Sequence, residues 1–272
     1  MGIEFDVVMD SKDYSIEMNA GLETLLGASE TTRRIVETVL TERVPEKLTN
    51  SNKVQSRLKK TFQGSFGQRF SLEIEDEKVK RKMRSIGKEV IIELIQHFVN
   101  EGLYRQPITL SAKAKKRLKE LDQVEDKLID VLRKSSFEHL HSLSSNFGRD
   151  VKLRYRKNLA DVRNIANINR SSCATLKPKI NRMQSEIVAS ITRLNIHTGN
   201  GRLQLIGSNE TVAFGFEQKY HLVPRAIKSR LSNDLDHNNK VAQPEWSTLK
   251  LRVHTLNLKS GKIVKYIIEE LL

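Results

Sequence analysis

Three stretches of this chain carry residue types whose spacing could do chemistry. In "LNIHTGNGRLQLIG", residues 194–207, three glycines at 199, 201 and 207 resemble a phosphate-cradling loop. Such a loop must lead into a helix N-terminus, where free N–H groups meet the anion. Here Leu203 and Leu205 alternate with Arg202 and Gln204, which predicts a strand, so Asn200 and Gly201 are expected to form a tight hairpin turn. "DLDHNNKVAQPE" places Asp234, Asp236, Asn238 and Glu245 at calcium-loop positions, but Asn239 stands where the turn needs glycine and Pro244 interrupts the exit. A chance match in a polar segment is the better reading. "EIEDEK", residues 73–78, groups acids with Lys78 as nuclease sites do, yet a solvated strand-to-helix turn accounts for it. His139 and His141, two apart, fall on different faces of a helix, and Cys173 is the only cysteine, so no metal site is expected. No acid, base and nucleophile can be named together, and no catalytic residue or cofactor is predicted.

Binding is the remaining class of activity, and charge points to its partner. The 272 residues carry a net charge of +14, distributed as −5 over the first 50 residues and +19 over the rest. Residues 151–200 hold 10 basic and 2 acidic side chains. Such density draws polyanions by counterion release, although Lys and Arg also serve simply to solvate exposed faces. The apolar stretches are too short to span a bilayer, and the start lacks a basic region followed by an apolar run. No membrane association and a cytoplasmic location are therefore expected.

The elements that would position these charges form an α+β chain with three expected parts. Residues 1–104 read as strand, helix, hairpin and helix. In the hairpin, Val54, Leu58 and Phe62 lie at even spacings and "QGSFGQ" supplies the reversal. Val79, Met83, Ile86, Val90, Leu94 and Phe98 predict one long helix closed by "NEG". Residues 105–182 read as a basic, mainly helical segment, with Ser111 as an N-cap, a strand at 151–157 and a further helix ended by Pro178. Residues 183–272 give three short β-runs, a helix and two more β-runs, the order of a five-stranded OB-like barrel, with an SH3-like barrel as the alternative.

On these elements the candidate nucleic-acid contacts are Lys152, Arg154 and Arg156 on the 151–157 strand, Lys250 and Arg252 on the fourth barrel strand, and Arg193, Arg202, Lys262 and Lys265 on neighbouring strands and turns. Phe214 and Phe216 are expected in the barrel core rather than as stacking platforms. Taken together, "YSIEMNAGLETLLG", "FQGSFGQRFSLEI", "SITRLNIHTGNGRLQL", "VAFGF" and "GKIVKYII" resemble a family of uncharacterised bacterial proteins whose genes lie near mobile elements and phage-defence genes. The barrel segment is similar to cold-shock-type barrels. The resemblance implies a role in bacterial defence or foreign nucleic-acid handling. It leaves open an interaction subunit of a defence complex, or a homodimer.

Overall fold

The computed structural model describes residues 2–62 and 66–272, so the tip of the first hairpin in "QGSFGQ" lies outside the described residues except for its last three. The chain divides into two units, Met1–Leu176 and Lys177–Leu272, rather than three. The middle segment supplies helices and two strands to the first unit instead of standing alone.

The first unit is built on a five-stranded antiparallel sheet, ordered β2-β3-β1-β4-β5. Its strands are β1 (Gly2–Met9), β2 (Val54–Phe62), β3 (Phe66–Ile74), β4 (Val151–Arg156) and β5 (Val162–Ile168). Between β1 and β2 runs α1 (Met18–Thr41). Between β3 and β4 come α2 (Glu77–Ile86), α3 (Lys88–Gly102), α4 (Ala112–Glu120), α5 (Asp122–Val131), α6 (Phe137–Leu140) and α7 (Ser142–Phe147), with a π-helical turn at Leu132–Ser136. Without β5, this is the split βαβ connectivity of a ferredoxin-like sheet, its second helix replaced by a helical array. Ile3, Phe5, Val7 and Met9 of β1, with Phe70 and Leu72 of β3 and Leu153 of β4, face the helices and are buried.

The expected helix over 79–98 is broken at Gly87, whose φ of 90° and ψ of 144° no helix can continue; α2 and α3 meet there. The helix expected after 157 is absent. Val162–Ile168 instead pairs with β4 as β5, and only α8 (Arg170–Ala174) is helical before Pro178. The reason is local: the segment is rich in Asn, a poor helix former, and a bulge opposite Leu153 and Arg154 obscures its alternation. Gly27, which weakens α1 as a sequence, has a packing role. A Cβ there would lie 2.1 Å from the Leu140 backbone nitrogen, so only glycine lets α6 approach this closely.

The second unit is a closed barrel of β6 (Lys179–Leu194), β7 (Gly201–Leu205), β8 (Thr211–Gly215), β9 (Leu249–Asn257) and β10 (Ile263–Leu271), ordered β10-β8-β7-β6-β9. β8 and β10 pair in parallel, and α9 (Arg225–Asn238) connects β8 to β9. This order and its one parallel pair fit an OB-like barrel, whereas an SH3-like barrel is antiparallel throughout. Phe214 is fully buried in its core. In the β6–β7 turn the positive φ belongs to Gly199, at 74°, and not to the Asn200–Gly201 pair. Gly201 is required by proximity: a Cβ there would lie 2.1 Å from the Arg193 carbonyl.

α8 is tied to the helices through a buried imidazole. His141 Nδ1 lies 2.7 Å from the Phe137 carbonyl, which can only accept, so Nδ1 carries the proton and Nε2 accepts from the Ser172 hydroxyl at 2.9 Å. Burial lowers the His141 pKa from the ordinary 6.5 to about 4. The unfolded chain therefore binds a proton that the fold refuses, and stability present above pH 6.5 is lost as pH falls toward 4. Urea unfolding should show a loss of up to about 3 kcal/mol across that window. His141→Gln should flatten it, and an unchanged pH slope in this variant would refute the assignment.

Candidate nucleic-acid interface

Alternation along β1 sends Ile3, Phe5 and Val7 to the helices and leaves Glu4, Asp6 and Val8 on the other side of the sheet. Register then fixes their neighbours. Asp6 lies between Arg69 of β3 and Arg154 of β4, and Glu4 lies between Ser71 and Arg156. On this open face Glu4, Arg57, Lys59 and Lys152 remain exposed.

At its centre the Asp6 carboxylate is fully buried beneath guanidinium groups. Arg156 Nε donates to both carboxylate oxygens, at 3.1 and 3.0 Å, while Arg69 Nε and Arg154 Nη2 approach at 3.4 and 3.5 Å. The bond to Asp6 raises the Arg156 pKa above its ordinary range, so the guanidinium stays charged. One carboxylate faces three cations, and two positive charges exceed what it can neutralise. Glu4, 3.9 Å from Arg69 Nη1, offsets part of the remainder.

An aromatic ring shares this face. The even spacing of Val54, Leu58 and Phe62 predicts one common side, but a bulge between Leu58 and Thr61 reverses the alternation. Leu58 pairs with inward-facing Phe70, whereas Phe62 pairs with Gly67 and turns outward. The Phe62 ring covers Gly67, where a Cβ would come within 2.5 Å of it. Arg154 and Arg156 place their guanidinium carbons 5.8 and 6.0 Å from the ring centroid, within cation–π range. Thus Lys152, Arg154 and Arg156 do share one strand face as their alternation predicts. Arg57, Lys59, Arg69 and Phe62 join them, and only the strand pairing reveals those four, although Arg57 is matched by Glu75 at 2.9 Å and Lys59 by Glu73 at 2.8 Å.

The barrel candidates divide differently. Arg202 is buried, its Nε and Nη2 each donating 2.8 Å bonds to Thr211 Oγ1 and the Thr211 carbonyl, so it braces β7 against β8. Arg193 stands opposite Arg202 in the β6–β7 register. Lys250 and Arg252 lie in a ladder with acids from both neighbouring strands. Lys250 pairs with Glu186 at 2.7 Å, and Arg252 pairs with Glu270. The Lys250 ammonium holds the Glu186 carboxyl below its usual range. Lys262 is exposed in the β9–β10 turn, and Lys265 donates to Asn200 Oδ1 at 2.7 Å, linking β10 to the β6–β7 turn.

Other motifs resolve into structure. Asp234 sits on α9, accepting from the Ile191 N–H at 2.7 Å and the Ser247 hydroxyl at 2.6 Å, and so pins the helix to the barrel. Asp76 caps α2 through the Lys78 and Val79 N–H groups. Ser172 and His141 have the separation of a nucleophile and its base, but both are buried and a backbone carbonyl holds the imidazole. Among the described residues no group of three His, Cys, Asp or Glu could hold a metal ion, and no helix is long and apolar enough to cross a membrane. The chain matches no protein-family model, no curated protein and no solved structure.

The arginine cluster makes Asp6 a structural keystone whose removal leaves three cations facing one another. Asp6→Asn keeps the shape and removes the charge; it should destabilise the first unit by about 3 kcal/mol in urea unfolding. A change within about 0.5 kcal/mol would show that the sheet does not depend on this carboxylate.

Proposed function

We propose that this chain binds single-stranded nucleic acid and does so without a catalytic site of its own. The observation that carries the reading is the open sheet face, where excess guanidinium charge surrounds an outward-turned ring. A backbone phosphate meets Arg and Lys there while a base can stack on Phe62, and stacking combined with a basic track is how sheet surfaces hold single strands without sequence preference. The OB-like barrel supports the same reading, because barrels of that kind use the first and last hairpin turns to flank a strand. Here those turns carry Lys262 and the Lys265–Asn200 link. Lys250 and Arg252, already matched by Glu186 and Glu270, contribute little free charge. A place in bacterial defence rests on the family resemblance.

A second reading, a protein-binding subunit, has an observation of its own. Met18, Leu22 and Leu26 recur every fourth residue on α1 and are exposed, and Met18 and Leu22 with Leu58 border an apolar pocket of about 360 Å³. Leu22→Glu should abolish stoichiometric recovery of a partner from the native host and leave nucleic-acid binding intact.

Fluorescence anisotropy with labelled single-stranded DNA and RNA tests the first reading. Log K should fall linearly with log salt, and Lys152→Ala should reduce the slope by about 0.7. Phe62→Ala should cost roughly 1 to 3 kcal/mol of binding. Lys250→Glu with Arg252→Glu should weaken binding less than Lys152→Glu alone. No retention of either strand at low salt would refute the proposal.

A further inference from the structure

One end of the open face closes into a cleft of about 330 Å³, bordered by Glu4, Arg69, Lys88, Tyr155, Arg156 and Lys157. Its size lies at the lower end of small-ligand sites, enough for a single nucleotide but not a folded partner. Four cations and one carboxylate line it. Two of the cations, Arg69 and Arg156, are the partly buried guanidiniums that Asp6 shares with Arg154, with side-chain exposures of 13% and 11%. Lys157 is 3.7 Å from Glu89, which Arg163 also engages. Lys88, at the start of α3, is half-buried, and no carboxylate among the described residues pairs with it. Tyr155 and Ile3 supply a wall that is itself buried, which weakens screening and strengthens the attraction of any anion placed there.

We infer that this cleft takes a phosphate monoester, the terminal phosphate of a bound single strand. The inference rests on the proposed function, because the cleft and the open face share Arg156 and a strand lying across that face would end here. A terminal monoester differs from the internal diesters in carrying a second negative charge, and a guanidinium cluster with excess charge favours the dianion over a single charge. Arg156 gives Nε and Nη2 to Asp6 and Arg69 gives Nε, so their remaining Nη donors serve the phosphate oxygens, while Lys88 and Lys157 act as point charges.

The test compares one short oligonucleotide carrying a 5′-phosphate, a 3′-phosphate or hydroxyls at both ends, with adenosine monophosphate as competitor. Anisotropy should show one phosphorylated form bound about tenfold tighter than the hydroxyl form at fixed salt. Adenosine monophosphate should compete away only that advantage. Lys88→Glu, which leaves the Asp6 cluster untouched, should erase the advantage while the hydroxyl form binds as before. Lys88→Ala should reduce it in a protein whose melting is unchanged, which separates loss of the site from loss of the fold. Equal affinity for all three strands would overturn the inference and leave the proposed function standing. If no strand binds but adenosine monophosphate does, and Lys88→Glu abolishes that binding, the proposed function falls and the site belongs to free nucleotides rather than strand ends. Binding of neither overturns both.

Discussion

A carboxylate without water contact, in the central strand of a sheet, is the constraint on which the first unit turns. Taking Asp6 out of solvent is costly unless opposite charge meets it, and the strands on either side supply that charge from Arg69, Arg154 and Arg156. These groups pair only if β3, β1 and β4 hold the observed register. A slip of β1 by one residue would carry Asp6 into the apolar layer against the helices and away from the arginines of β3 and β4. The same arrangement fixes the electrostatics of the surface. Because three cations answer one anion, the register that stabilises the sheet also leaves it positively charged.

Several arginines serve the fold itself rather than a binding surface. Arg117 donates to the Val39 carbonyl at the end of α1, and Arg34 donates to the Glu46 carbonyl at 2.9 Å. Arg133 reaches the Thr175 carbonyl at 2.7 Å while stacking 4.3 Å from the centre of the Tyr104 ring. Each guanidinium donates to carbonyls at a helix end or in a loop that no intrahelical N–H serves. Among the described residues burial removes five carboxylates, Asp6, Glu37, Glu101, Glu125 and Asp234, as well as Arg34, Arg117 and Arg202, so the distribution of exposed charge rather than the net +14 decides where binding can occur.

The sequence was most legible where period and punctuation agree. All five barrel strands, their intervening helix, β1, α1 and the first hairpin follow from alternation and turn residues, because a strand with one buried face must repeat every second residue. Illegible were the features that break a period. Gly87 divides an apolar stripe that remains in phase on both sides, so the stripe alone reads as one helix. The bulge in β2 turns Phe62 outward although its spacing from Val54 is even. β5 reads as helix because a bulge in its pairing hides the alternation and its many asparagines carry no hydrophobic period. Of the candidate site, the members on one strand were visible and those on its neighbours were not, since pairing is a property of the sheet rather than of any segment.

The two basic strands show why local pattern cannot decide function. Lys152, Arg154 and Arg156 on β4 and Lys250 and Arg252 on β9 carry the same signature, cations on the solvent side of an alternating run. Their neighbours differ. β9 lies between β6 and β10, which set Glu186 and Glu270 beside its cations, so that face is balanced strand by strand. β4 lies beside β1, which offers Asp6 and Glu4, and Asp6 is shared with a third arginine from β3. Cross-strand pairing thus turns one pattern into a stabilising ladder and the other into a surface with charge to spare. Of these five cations Lys152 alone has no carboxylate partner among the described residues, and Arg154 and Arg156 share one carboxylate with Arg69, which is why the sheet rather than the barrel wall carries the functional argument.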